Sequence, residues 1–449
     1  MIFKFNEIRN GIMNRIAHRK LGAFLTVVVM TCTACEDYLT VAEVENRTVS
    51  TGYYDSPQKV EQAVIGVYVD LRRALLQNYA WLMYGEGRTG DLTLDVEYMG
   101  HIAEQHLADN DRQVRQLTDW GYFYDAINDA NHILDKLEKT ETPALSSYQY
   151  ELYKGEALAL KSMAYFYLTR IWDKVPSAET SDRGTLLTQV EVLTRASQWA
   201  KEAKELLPWQ LVNDDGIVST ALTEVRFNKT AVSLLLAHQQ LWLGKGQEAY
   251  KDLTQVFEGQ SPDSLSHFGL SLGKDMGLNV PSDPYTDHNI HMSEEKFGSV
   301  YPGGDTRRSM FNVSADGATA SLIIEKRDML MIYAKQEIQL LFAEAAWRSE
   351  QLEKAKEHLM AAATGATEDY TLLTSDTFGA ALLLERQRML MGSGQRFFDL
   401  IRFNKIRQFV PFYTEGDLAA GAAYWPLSAQ SITSNGLEQN GYWAKYRIK

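Results

Sequence analysis

Apolar side chains recur every three to four residues through most of this 449-residue chain, which is the spacing of amphipathic helices. In SPQKVEQAVIGVYVDLRRALLQ, Ser56 suits a helix N-cap and Pro57 the first helical position. The apolar residues that then share one helix face are Val60, Val64, Val67, Tyr68 and Leu71. The stretch therefore predicts a helix that buries one face.

The same periodicity predicts eight further helices, so we expect a mostly α fold. They cover Trp120–Glu138, Tyr148–Trp172, Val192–Leu207, Asn228–Leu243, Gln247–Phe257, Gln336–Arg348, Leu352–Ala363 and Ala380–Phe398.

Two segments resemble each other at an offset of 106 residues, Leu236–Leu253 and Phe342–Leu359. Small residues fall at matching places, with Ala237 matched to Ala343, and they allow two antiparallel helices to pack closely. Tetratricopeptide helix–turn–helix units pack in this way, although they normally recur every ~34 residues. The sequence therefore predicts a discontinuous tetratricopeptide-like helical repeat scaffold.

Two long excursions interrupt the helical pattern, about 85–118 and 259–320. The second of them is rich in Gly, Ser, Asp and Pro, which predicts loops with few short strands. Long irregular segments within a compact protein are usually functional, and binding residues concentrate on loops held by a rigid scaffold. We therefore expect the functional site on these two excursions.

The N-terminus has the layout of a secretion signal. A cationic segment, Met13–Lys20, precedes the apolar run Leu21–Met30, which is too short to cross a bilayer. The small residues Thr33 and Ala34 then precede Cys35, which suits a lipoprotein signal peptidase, although Cys32 replaces the usual leucine three residues before the cysteine. We predict a signal peptide over 1–34, a lipidated Cys35 with a tether over 35–55, and a single domain over 56–449. A shorter signal peptide that starts at Met13 would also be complete.

Cys32 and Cys35 are the only cysteines, and their C-x-x-C spacing has a second interpretation, a disulfide or half of a metal site. No later cysteine could complete a metal site, and cleavage before Cys35 would remove Cys32. We therefore interpret Cys35 as the lipidation site.

Composition narrows the function further. The chain has 45 Lys and Arg against 58 Asp and Glu, a net charge of −13, which argues against nucleic-acid binding. Its 23 Tyr, 17 Phe and 9 Trp supply flat surfaces for stacking.

Motifs for catalysis or cofactors are weak. The G-x-G-x-x-G match Gly85–Gly90 lacks the strand before it and the helix after it that a nucleotide site needs. His101 and His106 are five residues apart, and H-E-x-x-H is absent. His288 and His291 could meet a metal, but exposed loop histidines more often bind nothing. We predict no cofactor, no metal site and no catalytic residue.

The C-terminal segment Leu382–Ile406 carries closely spaced acidic and basic residues. They include Glu385, Arg386, Arg396, Asp399 and Arg402. On a helical scaffold these residues favour a buried guanidinium–carboxylate brace, and an acid/base site is the alternative.

Six stretches of the chain match, in order, the motifs of one protein family. WGYFYDAINDANHIL is similar to a W-x3-Y-x2-I-x3-N helix, and ERQRMLMGSGQRFFDLIRF to an E-R-x2-E-F-x-x-E-G-x-R-x2-D-L-x-R signature. The other four are EALALKSMAYFYLTRIWDKVP, RFNKTAVSLLLAHQQLWLGKGQEA, QEIQLLFAEAAWRSEQLEKA and YWPLSAQSITSNGLEQNGYW. With these motifs the chain resembles the SusD/RagB family of surface nutrient-binding lipoproteins of Bacteroidota. Lys161 replaces an arginine of the family pattern, and Ser393 a glutamate, so no particular substrate is carried over.

The resemblance implies a SusD-like α-α superhelix and a non-catalytic role. Such a protein is lipid-anchored at the outer membrane and exposed at the cell surface. It captures oligosaccharides and passes them to a SusC-like TonB-dependent transporter. A peptide-binding member of the family, a surface glycosidase and a tetratricopeptide adaptor are the alternatives.

Sugars stack on aromatic rings and bond to polar groups, so aromatic and polar loop residues are the expected ligand contacts. The candidates are Tyr84, Arg88, Asp91, Tyr98, Tyr285, Asn289 and Tyr301.

Overall fold

The computed structural model describes residues 54–108, 111–139, 144–178, 185–260, 265–272, 290–322 and 329–446. The predicted signal peptide and Cys35 lie outside these residues. The helices are α1 Pro57–Leu76, α2 Ala80–Gly85, α3 Met99–Ala103, α4 Arg112–Leu117, α5 Gly121–Glu138, α6 Ser147–Trp172, α7 Gln189–Leu206, α8 Thr220–Val225, α9 Lys229–Trp242, α10 Gly246–Phe257, α11 Glu294–Val300, α12 Glu337–Arg348, α13 Leu352–Ala362, α14 Ser375–Met389, α15 Arg396–Arg402, α16 Ile406–Phe409, α17 Glu415–Ala419 and α18 Ala429–Asn435. The predicted mostly α fold is confirmed.

The strands are short. They are β1 Thr93–Leu94, β2 Val175–Pro176, β3 Leu186–Leu187, β4 Phe268–Ser271, β5 Ile290–Ser293, β6 Phe311–Val313, β7 Thr319–Leu322 and β8 Met329–Tyr333. They form one four-stranded sheet in the order β1-β5-β7-β6 and two two-stranded sheets, β2-β3 and β4-β8, all antiparallel.

Side-chain caps fix where the long helices begin. The Ser56 hydroxyl accepts a hydrogen bond from the Lys59 backbone N–H, as the sequence predicts for the start of α1. Reciprocal capping boxes begin two of the long later helices, with Ser146 and Gln149 before α6 and Thr188 and Glu191 before α7. Helix α6 packs against α5 and α7 and is buried almost all round after its first turn.

Two helix–turn–helix units, α9 with α10 and α12 with α13, are the two predicted repeats. The second helix of one unit packs on the first helix of the other. Gly246 starts α10 against the end of α12, where a Cβ on it would lie 2.5 Å from the Arg348 Cβ. The Phe342 ring also meets Tyr250 and Phe257, with ring centroids 6.1 and 6.4 Å away.

The predicted continuous helix Ala380–Phe398 is wrong. Helix α14 ends at Met389 and α15 begins at Arg396, with a tight turn between them. Gly392 and Gly394 have φ of 79° and 77° in that turn, a conformation that strains residues with a Cβ.

The brace expected in this segment is confirmed. The guanidinium of Arg386 donates to Asp399 at 2.8 Å and to Glu337 at 3.2 Å, which ties α14 to α15 and α12. Arg402 lies 2.7 Å from Asp399 and 2.9 Å from Glu344. All five side chains are almost wholly buried, so their charges pair inside the protein.

The α14–α15 turn also contacts the first residues of the first excursion. The carboxylate of Glu86 accepts backbone N–H groups of Gly392 at 3.1 Å and Gly394 at 2.8 Å. A Cβ on Gly85 would lie 1.7 Å from the Gly394 carbonyl oxygen, so the two chain segments touch backbone to backbone. Burial raises the pKa of Glu86 to about 8, although the two N–H groups oppose the shift.

We predict that Gly246→Ala destabilises the protein by about 1–3 kcal/mol, because the added methyl group must push the two repeat units apart. Gly66→Ala in α1 is the matched control. No atom lies within 4 Å of a Cβ there, so we expect it to stabilise by roughly 0.5–1 kcal/mol. Urea unfolding measures both. Equal effects of the two substitutions would contradict the stacking of the units.

A second prediction concerns pH. Because the pKa of Glu86 is higher in the folded protein than its ordinary value of 4.5, the folded state holds this proton more tightly than the unfolded chain. The free energy of unfolding should therefore fall as pH rises from 5 to 8, by at most about 1.4 kcal/mol per pH unit from this group.

The Glu86→Gln variant lacks this titrating group. Its free energy of unfolding should therefore fall less than that of the wild type as pH rises from 5 to 8. Urea unfolding at pH 5, 6.5 and 8 tests this. Glu97→Gln, at an exposed glutamate, is the control and should run parallel to the wild type. A parallel line for Glu86→Gln as well would refute the prediction.

Candidate functional site

The two excursions meet in the four-stranded sheet. Strand β1 comes from the first excursion, and β5, β6 and β7 come from the second. Thr93 pairs with His291 and Leu94 with Ile290, which joins segments almost 200 residues apart. Parts of the two excursions therefore share one sheet, within segments that the sequence predicted to be loops with few short strands.

The inner face of this sheet is apolar and fixed. Side chains alternate between the two faces of a strand, and Leu94, Ile290, Met292 and Ala320 point to the same side and are buried. Phe311 continues this face and packs on Phe297, with ring centroids 5.0 Å apart. The sheet therefore rests on the core and holds its outer face in place.

The outer face carries a row of polar side chains in register across all four strands. These residues, which we call the polar row, are Thr93, His291, Ser321 and Asn312. Thr93 and Asn312 are exposed, and the other two are partly exposed. Because neighbouring strands are about 4.8 Å apart, the row is roughly 14 Å long. It offers hydroxyl, imidazole and amide groups, which can both donate and accept hydrogen bonds.

An acidic side chain stands beside the row. Asp95 Oδ1 lies 3.9 Å from His291 Nδ1, and the Asp95 side chain is 60% exposed. Next along the sheet, Ser293 pairs with Thr319 on the same outer face. The outer face is therefore polar along its length.

Three of the four tyrosines predicted as ligand contacts are buried instead. The hydroxyl of Tyr84 donates to the Leu117 carbonyl at 2.8 Å, and that of Tyr301 to the Arg388 carbonyl at 2.9 Å. Tyr98 is also buried. Burial raises the pKa of all three hydroxyls above the ordinary value. These side chains support the loops from below, which differs from the expectation that they face a ligand.

Arg88 is likewise a buried support. It donates to Gln105 at 2.9 Å, to the Tyr413 hydroxyl at 2.8 Å and to the Ala422 carbonyl at 2.7 Å. Its guanidinium also lies 4.2 Å from the centre of the Phe397 ring. The first excursion is thereby fastened to the C-terminal segment.

Asp91 joins three parts of the molecule. Its buried carboxylate accepts from Gln387 at 2.9 Å and Arg396 at 3.2 Å, and Lys296 Nζ lies 2.8 Å away. Lys296 belongs to α11, directly after β5, so this ion pair also connects the two excursions. Asp91 therefore sets the position of the sheet and does not face solvent.

Tyr285 and Asn289 lie outside the described residues, and their role stays a prediction. Thr93, Asn312 and Ser321 were not among the residues predicted from the sequence, and His291 was predicted only as a possible metal ligand. The alternation in Ile-His-Met-Ser, 290–293, was the available signal for a strand with one polar face.

Other candidate sites find little support. Within the described parts of the chain, no three His, Cys, Asp or Glu side chains are grouped to hold a metal. A shallow hollow lined by Tyr165 and Trp199 has no room for a water molecule, whereas ligand pockets measure ~300–1,000 Å³. The described helices include none that is long and apolar enough to cross a membrane.

Comparison with known proteins shows similarity to SusD-like proteins. Residues 37–239 match a family model described as SusD-like, "Starch-binding associating with outer membrane". A SusD-like protein of Bacteroides ovatus is 25% identical over 158 residues, which are 33% of this chain. That match spans only 27% of the length of the Bacteroides protein.

Solved structures share the fold over most of the chain. A SusD superfamily protein from Bacteroides thetaiotaomicron has a TM-score of 0.72 and 21% identity, covering 88% of this chain and all of its own. A structure described as a laminarin-binding SusD-like protein has a TM-score of 0.64 and 18% identity, covering 86% of this chain and 99% of its own. The family model, the related sequence and the solved structures thus agree that this chain is similar to SusD-like proteins, and it shares their fold.

Proposed function

We propose that this protein is a non-catalytic lipoprotein of the outer membrane, exposed at the cell surface, that captures oligosaccharides and passes them to a SusC-like TonB-dependent transporter. The description of the matching family model supports the starch-like class of ligand and the outer membrane. The laminarin-binding relative of similar fold supports a glycan ligand as well.

The observation that carries the proposal is the polar row on a rigid sheet. A glycan presents many hydroxyl groups, each of which can donate and accept a hydrogen bond. Thr93, His291, Ser321 and Asn312 offer matching groups in a line, and the buried inner face fixes their positions. A site that is already ordered loses less entropy on binding a flexible chain.

The charge pairing of the acidic residues favours binding over hydrolysis. A glycosidase needs two carboxyl groups on either side of one cleft. In the C-terminal signature, Glu385 contacts Arg307 and Arg388, and Asp399 contacts Arg386 and Arg402. Because these carboxylates are buried and paired, they act as structural elements.

The predicted lipid anchor and the helical body also fit the delivery of a bound oligosaccharide to a transporter. Cys35 would tether the protein to the membrane through acyl chains, since stable anchoring requires two of them. The long helices of the body form a rigid support for docking on a transporter, and the sheet presents the ligand surface.

We predict that the double variant His291→Ala/Asn312→Ala weakens binding of oligosaccharides roughly tenfold, since each lost hydrogen bond contributes about 0.5–1.5 kcal/mol. Isothermal titration against a panel of oligosaccharides measures the affinity. Gln198→Ala, an exposed position on α7, is the control and should bind as the wild type does. Unchanged affinity of the double variant would place the glycan elsewhere, and a panel without any binder would reject the proposal.

We also predict that Cys35→Ala moves the protein from the membrane fraction to the soluble fraction, because acylation requires the cysteine thiol. Fractionation with immunodetection measures this, and Cys32→Ala is the matched control that should stay membrane-bound. Affinity purification of the wild type should recover a large TonB-dependent transporter. Membrane association of Cys35→Ala together with no recovered transporter would refute the anchoring and delivery roles.

A further inference from the structure

We propose that the surface around the polar row selects uncharged oligosaccharides and rejects chains that carry uronate or sulfate groups. This inference rests on the proposed function and names the ligand class of the same site.

Acidic side chains surround the row on the two segments that build it, residues 91–97 and 290–322. The exposed ones are Asp95, Glu97, Glu294, Glu295 and Asp316. Asp95 and Glu97 follow β1, and Glu294 and Glu295 follow β5. Asp316 lies in the turn between β6 and β7, where its Oδ1 accepts from the Ser314 hydroxyl at 2.6 Å and the Ala318 N–H at 3.0 Å. Negative charge therefore lies at both ends of the outer face.

The basic side chains of the same two segments are directed elsewhere. They are Lys296, Arg307 and Arg308. Lys296 is paired with the buried Asp91 at 2.8 Å, and Arg307 is buried between Asp305 and Glu385. Arg308 donates to the Tyr301 carbonyl and lies 4.2 Å from the Phe297 ring centre. Each of these three cationic side chains therefore already has a partner within the protein, and an anionic ligand would have to compete with that partner.

The polar row itself contributes little positive charge. Three of its four side chains are uncharged, and the fourth, His291, stands beside Asp95 at 3.9 Å. Even a protonated His291 would thus have its charge opposed by a neighbouring carboxylate. A neutral sugar hydroxyl can bond to every member of the row, whereas an anionic group finds hydrogen bonds but no compensating cation in these segments.

Electrostatic repulsion is strong enough to discriminate between neutral and anionic oligosaccharides. By Coulomb's law a like charge about 7 Å away in water would disfavour an anionic ligand by a factor of roughly two to three, and three charges at that separation would together do so by on the order of tenfold. The effect should weaken with salt, since the Debye length falls from ~10 Å at 0.1 M to ~3 Å at 1 M. Specificity here comes from rejecting the wrong ligand.

The test uses matched ligands and matched variants of the mature protein. Neutral hexasaccharides of glucose and of mannose are each compared with the same chain oxidised at C6 to uronates, by isothermal titration at 50 mM and 500 mM salt. The test variant is Glu97→Gln/Glu294→Gln/Glu295→Gln. The control variant removes the same number of charges at remote exposed acids, Glu151→Gln/Asp214→Asn/Asp215→Asn.

We expect the wild type to bind a neutral hexasaccharide about tenfold more tightly than its uronate form at 50 mM salt, with a smaller ratio at 500 mM. The test variant should reduce the ratio at least threefold, and the control variant should not. The proposed selection would be overturned if the uronate chain bound equally or more tightly, or if the test variant left the affinity ratio unchanged. Either result would leave the proposal of oligosaccharide capture intact. Failure of every hexasaccharide to bind would overturn both proposals.

Discussion

The buried carboxylate of Asp91 is the contact on which the arrangement of the surface depends. It receives Lys296 from the second excursion and Gln387 and Arg396 from the C-terminal helices, while its own backbone belongs to the first excursion. A buried carboxylate is costly to desolvate unless it is fully paired, and loss of one partner typically destabilises by about 3–5 kcal/mol. One charged group thus fixes three segments, and the sheet follows from their positions.

The C-terminal quarter supplies partners of this kind more than once. Arg386 and Arg402 connect α14, α15 and α12, and Glu385 joins Arg307 to Arg388. Buried guanidinium–carboxylate pairs have a strong directional geometry, so they define how helices meet more narrowly than apolar packing does. The helical body acts as a frame, and the irregular segments are attached to that frame at charged and glycine contacts.

Local physics made much of this fold predictable. The 3.6-residue period located the long helices to within a few residues, and Ser56 and Pro57 gave the start of α1. The charge spacing of Glu385, Arg386 and Asp399 indicated the brace. The break within Ala380–Phe398 was missed because the glycine turn matters only once Gly394 meets Gly85, a contact that is remote in sequence.

The candidate surface was less predictable for the same reason. Loop composition pointed to the correct two segments, but the pairing of Thr93 with His291 depends on the folded frame. Residue type alone favoured tyrosine and arginine as ligand contacts. Tyr84, Arg88 and Tyr301 instead satisfy buried backbone carbonyls, a role that looks identical in sequence.

The meeting of Gly85 with Gly394 has a consequence for the order in which the chain can fold. During synthesis the N-terminal residues emerge first, yet Glu86 finds its two N–H partners only after some 300 more residues are present. Contacts between such distant residues form late, because a long loop must close before they contribute. The first excursion therefore cannot adopt its folded position until the last quarter of the chain has been synthesised. A prematurely terminated chain could form the earlier helices but would lack the ordered sheet surface.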